Sequence, residues 1–358
     1  MSNYHYDCIV IGGGQSALAV GYYLRRTDYT WVMLDAQEDA GGAWQHGWNS
    51  LTTFSPAQYS SLPGWLMPKS KGPYPTRDEV LDYLQQYEDR YKFPVRRPIE
   101  VQDVARKNNL FHLNTSRGLY TCRALISATG TWQAPYIPDI PGRQNFSGRQ
   151  LHSGTYQSPT PFRKKRILVI GEGNSGAQIL ADLAPYAAAV HWATRKTPEF
   201  LPEDVDGRVL FNVASAKYYA EQKGEVFDTS KLNLGNIVLV PTIRQAYHNG
   251  LLVSRGKIAR ITSRGIIWQD GRTDDYDVLI WCTGFHYATT HLQGLVPRDH
   301  KGRINTEGTR AIDTNGLWLV GYGNWTGFAS ATMIGVGRSA RQTVKEITSF
   351  LGNSSMGS

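Results

Sequence analysis

The chain is poor in cysteine, with three in 358 residues: Cys8, Cys122 and Cys282, far apart, two of them inside apolar runs. That count excludes a disulfide-stapled scaffold and suits buried thiols in a reducing compartment. No Cys-x-x-Cys is present to relay electrons to a thiol, no His-x-His or His-x-x-x-His to hold zinc, and no Gly-x-Ser-x-Gly to present a nucleophilic serine. Long apolar runs are missing as well. None approaches the roughly 18 residues of a membrane span, and residues 6–14 are too early and too short for the apolar core of a signal peptide, so a cytoplasmic protein is expected. Charge of one sign is in modest excess, +8 at neutral pH, but the Lys and Arg residues are scattered. The densest run, Arg163-Lys164-Lys165-Arg166, leads straight into an apolar strand-like segment and reads as a solvated connection, which disfavours nucleic acid as a partner.

Glycine, by contrast, is in excess: 36 residues, about 10% against a usual 7% or so, gathered in clusters. With 41% hydrophobic and 19% charged residues the chain can bury a substantial core, and its length predicts two domains. Asp7-Cys8-Ile9-Val10-Ile11 has no helical period; it ends at Gly12-Gly13-Gly14 and gives way to a helical pattern over residues 17–24. Trp31-Val32-Met33-Leu34-Asp35 then completes a β-α-β unit. Thr76-x-x-Glu79 followed by Val80, Leu81, Leu84 and Tyr87 predicts a capped surface helix, and residues 101–127 predict a hairpin leading into a central strand. The first pattern returns at Arg166-Ile167-Leu168-Val169-Ile170, with Gly171-Glu172-Gly173-Asn174-Ser175-Gly176, a helix over residues 177–183 and a strand at Val190-His191-Trp192-Ala193-Thr194. Alternating strands over residues 253–268, a strand over 276–282, a strand at Leu317-Trp318-Leu319-Val320, a helix over 332–350 and a disordered tail over 353–358 complete the expectation.

Gly12-x-Gly14-x-x-Ala17, between a strand and a helix, has the form that turns the backbone tightly and brings helix N-terminal amides against a pyrophosphate. Asp35 lies 35 − 12 = 23 residues on, where a carboxylate accepts hydrogen bonds from a ribose 2′-hydroxyl. Gly171-x-Gly173-x-x-Gly176 carries the full pattern in the same context, but the matching strand ends in Arg195-Lys196, cations suited to a 2′-phosphate. Two such sites in one chain, the first favouring an unphosphorylated ribose, imply FAD held in place and NADPH or NADH visiting to reduce it.

Between the two loops, Phe146-x-Gly148-x-x-x-His152-x-x-x-Tyr156 resembles the fingerprint of class B flavoprotein monooxygenases, the flavin-containing monooxygenases and Baeyer–Villiger enzymes. The resemblance extends over nearly the whole chain, through Gly41-Gly42-x-Trp44, Tyr74-Pro75-Thr76, Ala128-Thr129-Gly130 and Cys282-Thr283-Gly284-Phe285, and is greatest for a small bacterial subgroup that includes thioether oxidases and the flavin monooxygenases of arsenic-resistance operons. Two departures stand out: Gln157 where the family often has Lys or Pro, and Phe54 where it commonly has Asn beside the flavin.

The resemblance implies an α/β protein of two Rossmann-like dinucleotide-binding domains, an FAD domain of residues 1–155 and 296–358 with an NAD(P)H domain of residues 156–295 inserted. It places Gln15, Ser16, Gln37, Trp44, Val104, Thr129 and Gly130 with Gly12, Gly14 and Asp35 around FAD. Gly171, Gly173, Asn174, Ser175, Gly176, Arg195, Lys196, Thr283 and Gly284 fall around the nicotinamide nucleotide, with Phe54 and His152 at the reaction centre or coupling its parts. It further implies that O₂ adds to reduced FAD to give a peroxyflavin that oxygenates thioethers or ketones, with Phe54 protecting it less well than Asn and allowing leakage to hydrogen peroxide. Oxidation of trivalent arsenicals, electron transfer to another acceptor and a non-catalytic redox sensor are the alternatives. Partners are a small-molecule substrate and O₂, with a homodimer left open and no membrane.

Overall fold

In the computed structural model, which describes residues 3–225 and 236–353, the β-branched run near the N-terminus forms a strand, Asn3–Ile11, at the centre of a nine-stranded sheet. It pairs in parallel with Trp31–Leu34 on one side and Gly118–Ser127 on the other, beyond which Leu317–Leu319 adds a further parallel strand. The register sets Ile11 beside both Leu34 and Ser127, and Ser127 beside Leu319, so four strands end along one crest. Gly12, Asp35, Ala128 and Val320 follow directly, and the crest at the carboxyl ends of parallel strands is where such sheets bind ligands.

Strands covered on both faces read as continuous apolar runs. Cys8, Val10, Met33 and Trp318 pack into one core with the helices Gln15–Leu24, Arg77–Tyr91 and Met333–Asn353, while Ile9, Ile11, Val32, Leu34 and Leu317 pack into the other with Val104, Phe111, Leu292 and Val296. Each side chain so buried contributes about 1.5–3 kcal/mol. The helix Arg77–Tyr91 starts as expected: Thr76 Oγ1 accepts from the Glu79 amide (3.3 Å) and the Glu79 carboxylate accepts from the Thr76 amide (2.8 Å).

A second sheet has the order Arg149–His152, Val278–Trp281, Arg166–Ile170, Ala189–Ala193, all parallel, with Trp281 level with His152 and Ile170, and Ile170 level with Ala193. It forms a second crest, followed by Ser153, Cys282, Gly171 and Thr194. A three-stranded antiparallel sheet, Ile258–Ile261, Gly265–Trp268 and Thr273–Asp275, accompanies it. Residues 253–257, expected as strand, lie before it.

The chain divides into two compact units, one comprising the chain up to Gln45, Ala57–Ala134 and from His286 onward, the other His46–Pro56 with Pro135–Phe285. These limits differ from the expected 155 and 296. Residues 149–152 are the edge strand of the second sheet, which brings the boundary back to 134, and the amides and carbonyls of residues 286–288 bond within the first unit, as in His286 N to Ala134 O and Ala288 N to Gly130 O. His46–Pro56 joins the second unit through Gln157, whose carbonyl accepts from the Asn49 amide (2.9 Å) and whose side chain donates to the His46 carbonyl (3.2 Å). The helices Gly207–Gln222 and Pro241–His248 carried no strong signal in the sequence. The tail expected to be disordered lies, beyond Asn353, outside the described residues. No described helix is long and apolar enough to cross a membrane.

Candidate functional site

At the first crest Gly12 has φ +114°, and a Cβ there would stand 2.7 Å from the Ala128 carbonyl oxygen, so only glycine lets the loop lie against the neighbouring strand. The helix Gln15–Leu24 begins at Gly14 with no side-chain cap, which leaves its first amides to a ligand. Gly42 packs on Gly14 so closely that a Cβ would come within 2.6 Å of the Gly14 Cα. Trp44 Nε1 donates to Gln15 Oε1 (3.0 Å), and Gln15 Nε2 donates to the Ala331 carbonyl (2.6 Å), so these two expected site residues brace one another. Ser16 is buried beneath Gly321. Val104 is different: it pairs with Leu113 in the hairpin and its side chain belongs to the core, so only its backbone is left to meet a ligand.

Asp35 sits at the end of its strand, 4% exposed. Its Oδ2 accepts from Arg97 Nε (2.7 Å) and its Oδ1 from the Gln37 amide (3.3 Å), which leaves lone pairs on both oxygens. The remaining guanidinium nitrogens of Arg97 bond both oxygens of Glu88, at 2.6 and 2.8 Å. Arg97 and Glu88 were not legible as site residues, because nothing in their spacing connects residues 62 and 53 positions from Asp35.

Thr129 donates to the Ala288 carbonyl (2.6 Å) and shares a hydrogen bond with the Tyr322 hydroxyl (2.7 Å); the same hydroxyl meets Ser127 Oγ (2.6 Å), which lies 3.1 Å from His291 Nε2. Burial, aided by the Arg298 charge, pushes the His291 pKa down to about 4, so the ring is neutral. This buried network fixes the turn at Thr129 and Gly130, the latter at φ +65° with open space where a Cβ would be.

The second crest repeats the design. Gly171 has φ +134° and a Cβ there would stand 2.1 Å from the Cys282 carbonyl oxygen; a Cβ at Gly176 would stand 2.7 Å from the Gly171 carbonyl oxygen. Gly173 faces open space at the uncapped start of the helix Asn174–Leu183, with Ser175 partly exposed in its first turn. The Asn174 side chain is occupied with the backbone of Asn236 (3.2 Å) and Val238 (3.0 Å). A cleft of about 480 Å³ opens here, lined by Tyr136, Ile140, Gly171, Glu172, Gly173, Arg195, Lys257 and Thr283 among others. Lys196 is exposed beside it.

The fingerprint residues hold this unit together. A Cβ at Gly148 would meet the Asp277 carbonyl oxygen at 2.5 Å, and Tyr156 donates to Asp182 Oδ2 (2.6 Å). His152 Nε2 donates to the Gly284 carbonyl (2.9 Å) while Nδ1 accepts from the Gly154 amide (3.1 Å), and the ring stands edge-on to Phe285 at 4.8 Å. Burial lowers its pKa against the opposing effect of Gly284, and with both nitrogens engaged it has none free for proton transfer. Phe54 is half-buried, 6.0 Å from the Phe211 ring, and its carbonyl accepts from the Gly207 amide (2.7 Å). The three thiols are buried with raised pKa, which suits inert cysteines.

The family model for pyridine nucleotide-disulphide oxidoreductases matches residues 9–210. A solved flavin-containing monooxygenase from Stenotrophomonas maltophilia is 45% identical, covers 97% of this chain and 99% of its own, and superposes with a TM-score of 0.88. The uncharacterized oxidoreductase CzcO of Bacillus subtilis is 29% identical over 96% of this chain and 99% of its own, and a probable indole-3-pyruvate monooxygenase of Arabidopsis thaliana, YUCCA1, is 29% identical over 80% and 77%. Two glycine crests, no Cys-x-x-Cys and a near-complete match to a flavin monooxygenase lead to one conclusion: this chain belongs to the pyridine nucleotide-disulphide oxidoreductase family, is an oxidoreductase, and falls among its class B flavin monooxygenases.

Proposed function

We propose that the chain is an FAD-dependent, NAD(P)H-using monooxygenase of soft nucleophiles, thioethers first among them. The unit carrying Gly12, Gly14 and Asp35 is assigned to FAD, the unit carrying Gly171, Gly173 and Gly176 to NADPH or NADH. The observation that carries this reading is the pair of glycine loops, each at the carboxyl ends of adjacent parallel strands and each opening a helix that no side chain caps. Bound FAD supplies the redox and oxygen chemistry.

The residues supply binding, orientation and dryness. The amides after Gly12 and Gly14 take a pyrophosphate, and Asp35, held by Arg97, accepts ribose hydroxyls. At the other loop the amides of Asn174 and Ser175 take the second pyrophosphate, with Arg195 and Lys196 offering charge to a 2′-phosphate. His152 locks the Gly284 carbonyl and so holds the Thr283-Gly284 turn at the rim of the cleft. Phe54 offers an apolar ring that excludes water but donates no hydrogen bond.

The test is a product balance. Purified protein should retain FAD and, with NADPH, O₂ and an aryl methyl thioether, form sulfoxide in proportion to the NADPH consumed. Consumption that yields only hydrogen peroxide and is indifferent to the thioether would overturn the monooxygenase reading; failure to retain FAD would overturn the assignment of the first loop.

A further inference from the structure

We propose that Glu172, within the second glycine loop, is a specificity-determining residue that favours an unphosphorylated nicotinamide nucleotide by accepting its ribose hydroxyl and by holding Arg195 away from a 2′-phosphate. This rests on the assignment of that loop to NAD(P)H. Glu172 lines the cleft together with Arg195 and Lys257. Its Oε2 accepts from the Arg195 backbone amide at 2.9 Å, and its Oε1 from the Arg195 guanidinium at 2.8 Å.

The two partners are not equally fixed. The Glu172 side chain is 28% exposed and bonded to backbone, whereas the Arg195 side chain is 86% exposed. When Arg195 turns toward an incoming phosphate, the carboxylate therefore stays. A 2′-phosphate, carrying about −1.5 to −2 charges, then meets a fixed negative charge as well as Arg195, Lys196 and Lys257. Partial burial works to raise the Glu172 pKa, but the bonds from Arg195 outweigh it and keep the group below the usual value, so it is ionised through the neutral range.

The same carboxylate is an acceptor for a ribose 2′-hydroxyl, the part that Asp35 is placed to play at the first loop. There the acid sits at the strand end; here the strand end holds Arg195 and the acid sits in the loop. One cleft thus contains a group for each nucleotide, and Glu172 decides between them.

The experiment is calorimetric titration of FAD-loaded protein with NADP⁺ and with NAD⁺. Glu172→Gln should tighten NADP⁺ by about tenfold, the scale of one removed like-charge contact, with NAD⁺ unchanged or weaker. Glu172→Asp should keep the ratio closer to that of the parent, and adding Arg195→Ala to Glu172→Gln should abolish the gain. An affinity ratio unmoved by Glu172→Gln, or both nucleotides shifted equally, overturns the proposal. Should Glu172→Gln fail to fold, Glu172→Ala gives the same reading. If the unaltered protein binds neither nucleotide, the loop assignment falls and this proposal with it; binding of both with a fixed ratio sinks the proposal alone.

Discussion

His291 should make the stability of the first unit fall with acid, and by an amount set by its burial. Its ring, 7% exposed, is bonded to Ser127 Oγ and its pKa is pushed from the unfolded value near 6.5 down to about 4. Because the folded chain disfavours the proton, the contribution is complete above pH 6.5, where both states are neutral. It is lost as the pH falls through the window between the two values, since there only the unfolded chain takes up the proton. A difference of about 2.5 units at 1.36 kcal/mol each corresponds to about 3 kcal/mol, nearly all of it gone by pH 4. The assay is urea unfolding at pH 7, 5.5 and 4, followed by tryptophan fluorescence, on the parent protein and on His291→Gln. Carboxylates contribute equally to both, so the difference isolates the histidine. The gap between the two should change by about 3 kcal/mol in favour of the variant from pH 7 to pH 4. Parallel pH profiles would refute the reasoning, whatever the variant costs at pH 7.

Arg97→Leu strips the guanidinium from the buried Asp35 and the partly buried Glu88 and should cost about 3–5 kcal/mol in unfolding experiments, with Arg97→Leu/Glu88→Leu recovering part of it; a loss under about 1 kcal/mol would show that the cluster is not a coupled unit. Arg195→Ala with Lys196→Ala should raise the KM for NADPH more than that for NADH in steady-state reduction assays, and equal effects would remove the two residues from 2′-phosphate recognition. Phe54→Asn should lower the ratio of hydrogen peroxide to sulfoxide, measured per NADPH consumed; an unchanged ratio would take Phe54 out of that role.

What was legible in the sequence was what the backbone itself demands. Gly12 and Gly171 were visible because a positive φ and the close approach of Ala128 and Cys282 admit no side chain, and the strand-turn-helix rhythm around them survives any detail of packing. Asp35 was visible because it lies at a strand end a countable distance from the loop. Arg97, Ser127, His291 and Tyr322 were not, because they meet only after distant segments pack. The strand Arg149–His152 was hidden for another reason: four residues are too few to carry a period, and assigning them to the wrong unit moved the expected boundary from 134 to 155. The helix Asn174–Leu183 was expected three residues late, since the sequence marks its glycines more clearly than the amides that begin it.

The two crests also show why a glycine motif alone does not name a nucleotide. Both present a helix start that no side chain caps and a glycine that no Cβ can replace, so on the proposed assignment the loops do not by themselves tell one nucleotide from the other. Discrimination has to come from the charges around the ribose, and these are arranged in opposite ways. At the first crest the acid is at the strand end and its counter-charge, Arg97, is taken up on its far side by Glu88, so Arg97 is not free for a 2′-phosphate. At the second the cation is at the strand end, exposed and tethered on one side by an acid in the loop. Moving the acid away from the first strand end would leave the Arg97 guanidinium short of a partner in a largely buried place, so there the charges are tied to stability, whereas Arg195 at the second crest is exposed and can be changed at little cost to the fold. On the proposed assignment of the second loop to the nicotinamide nucleotide, substitutions at Glu172 and Arg195 change which ribose that loop favours without touching the elements that hold its glycines in place.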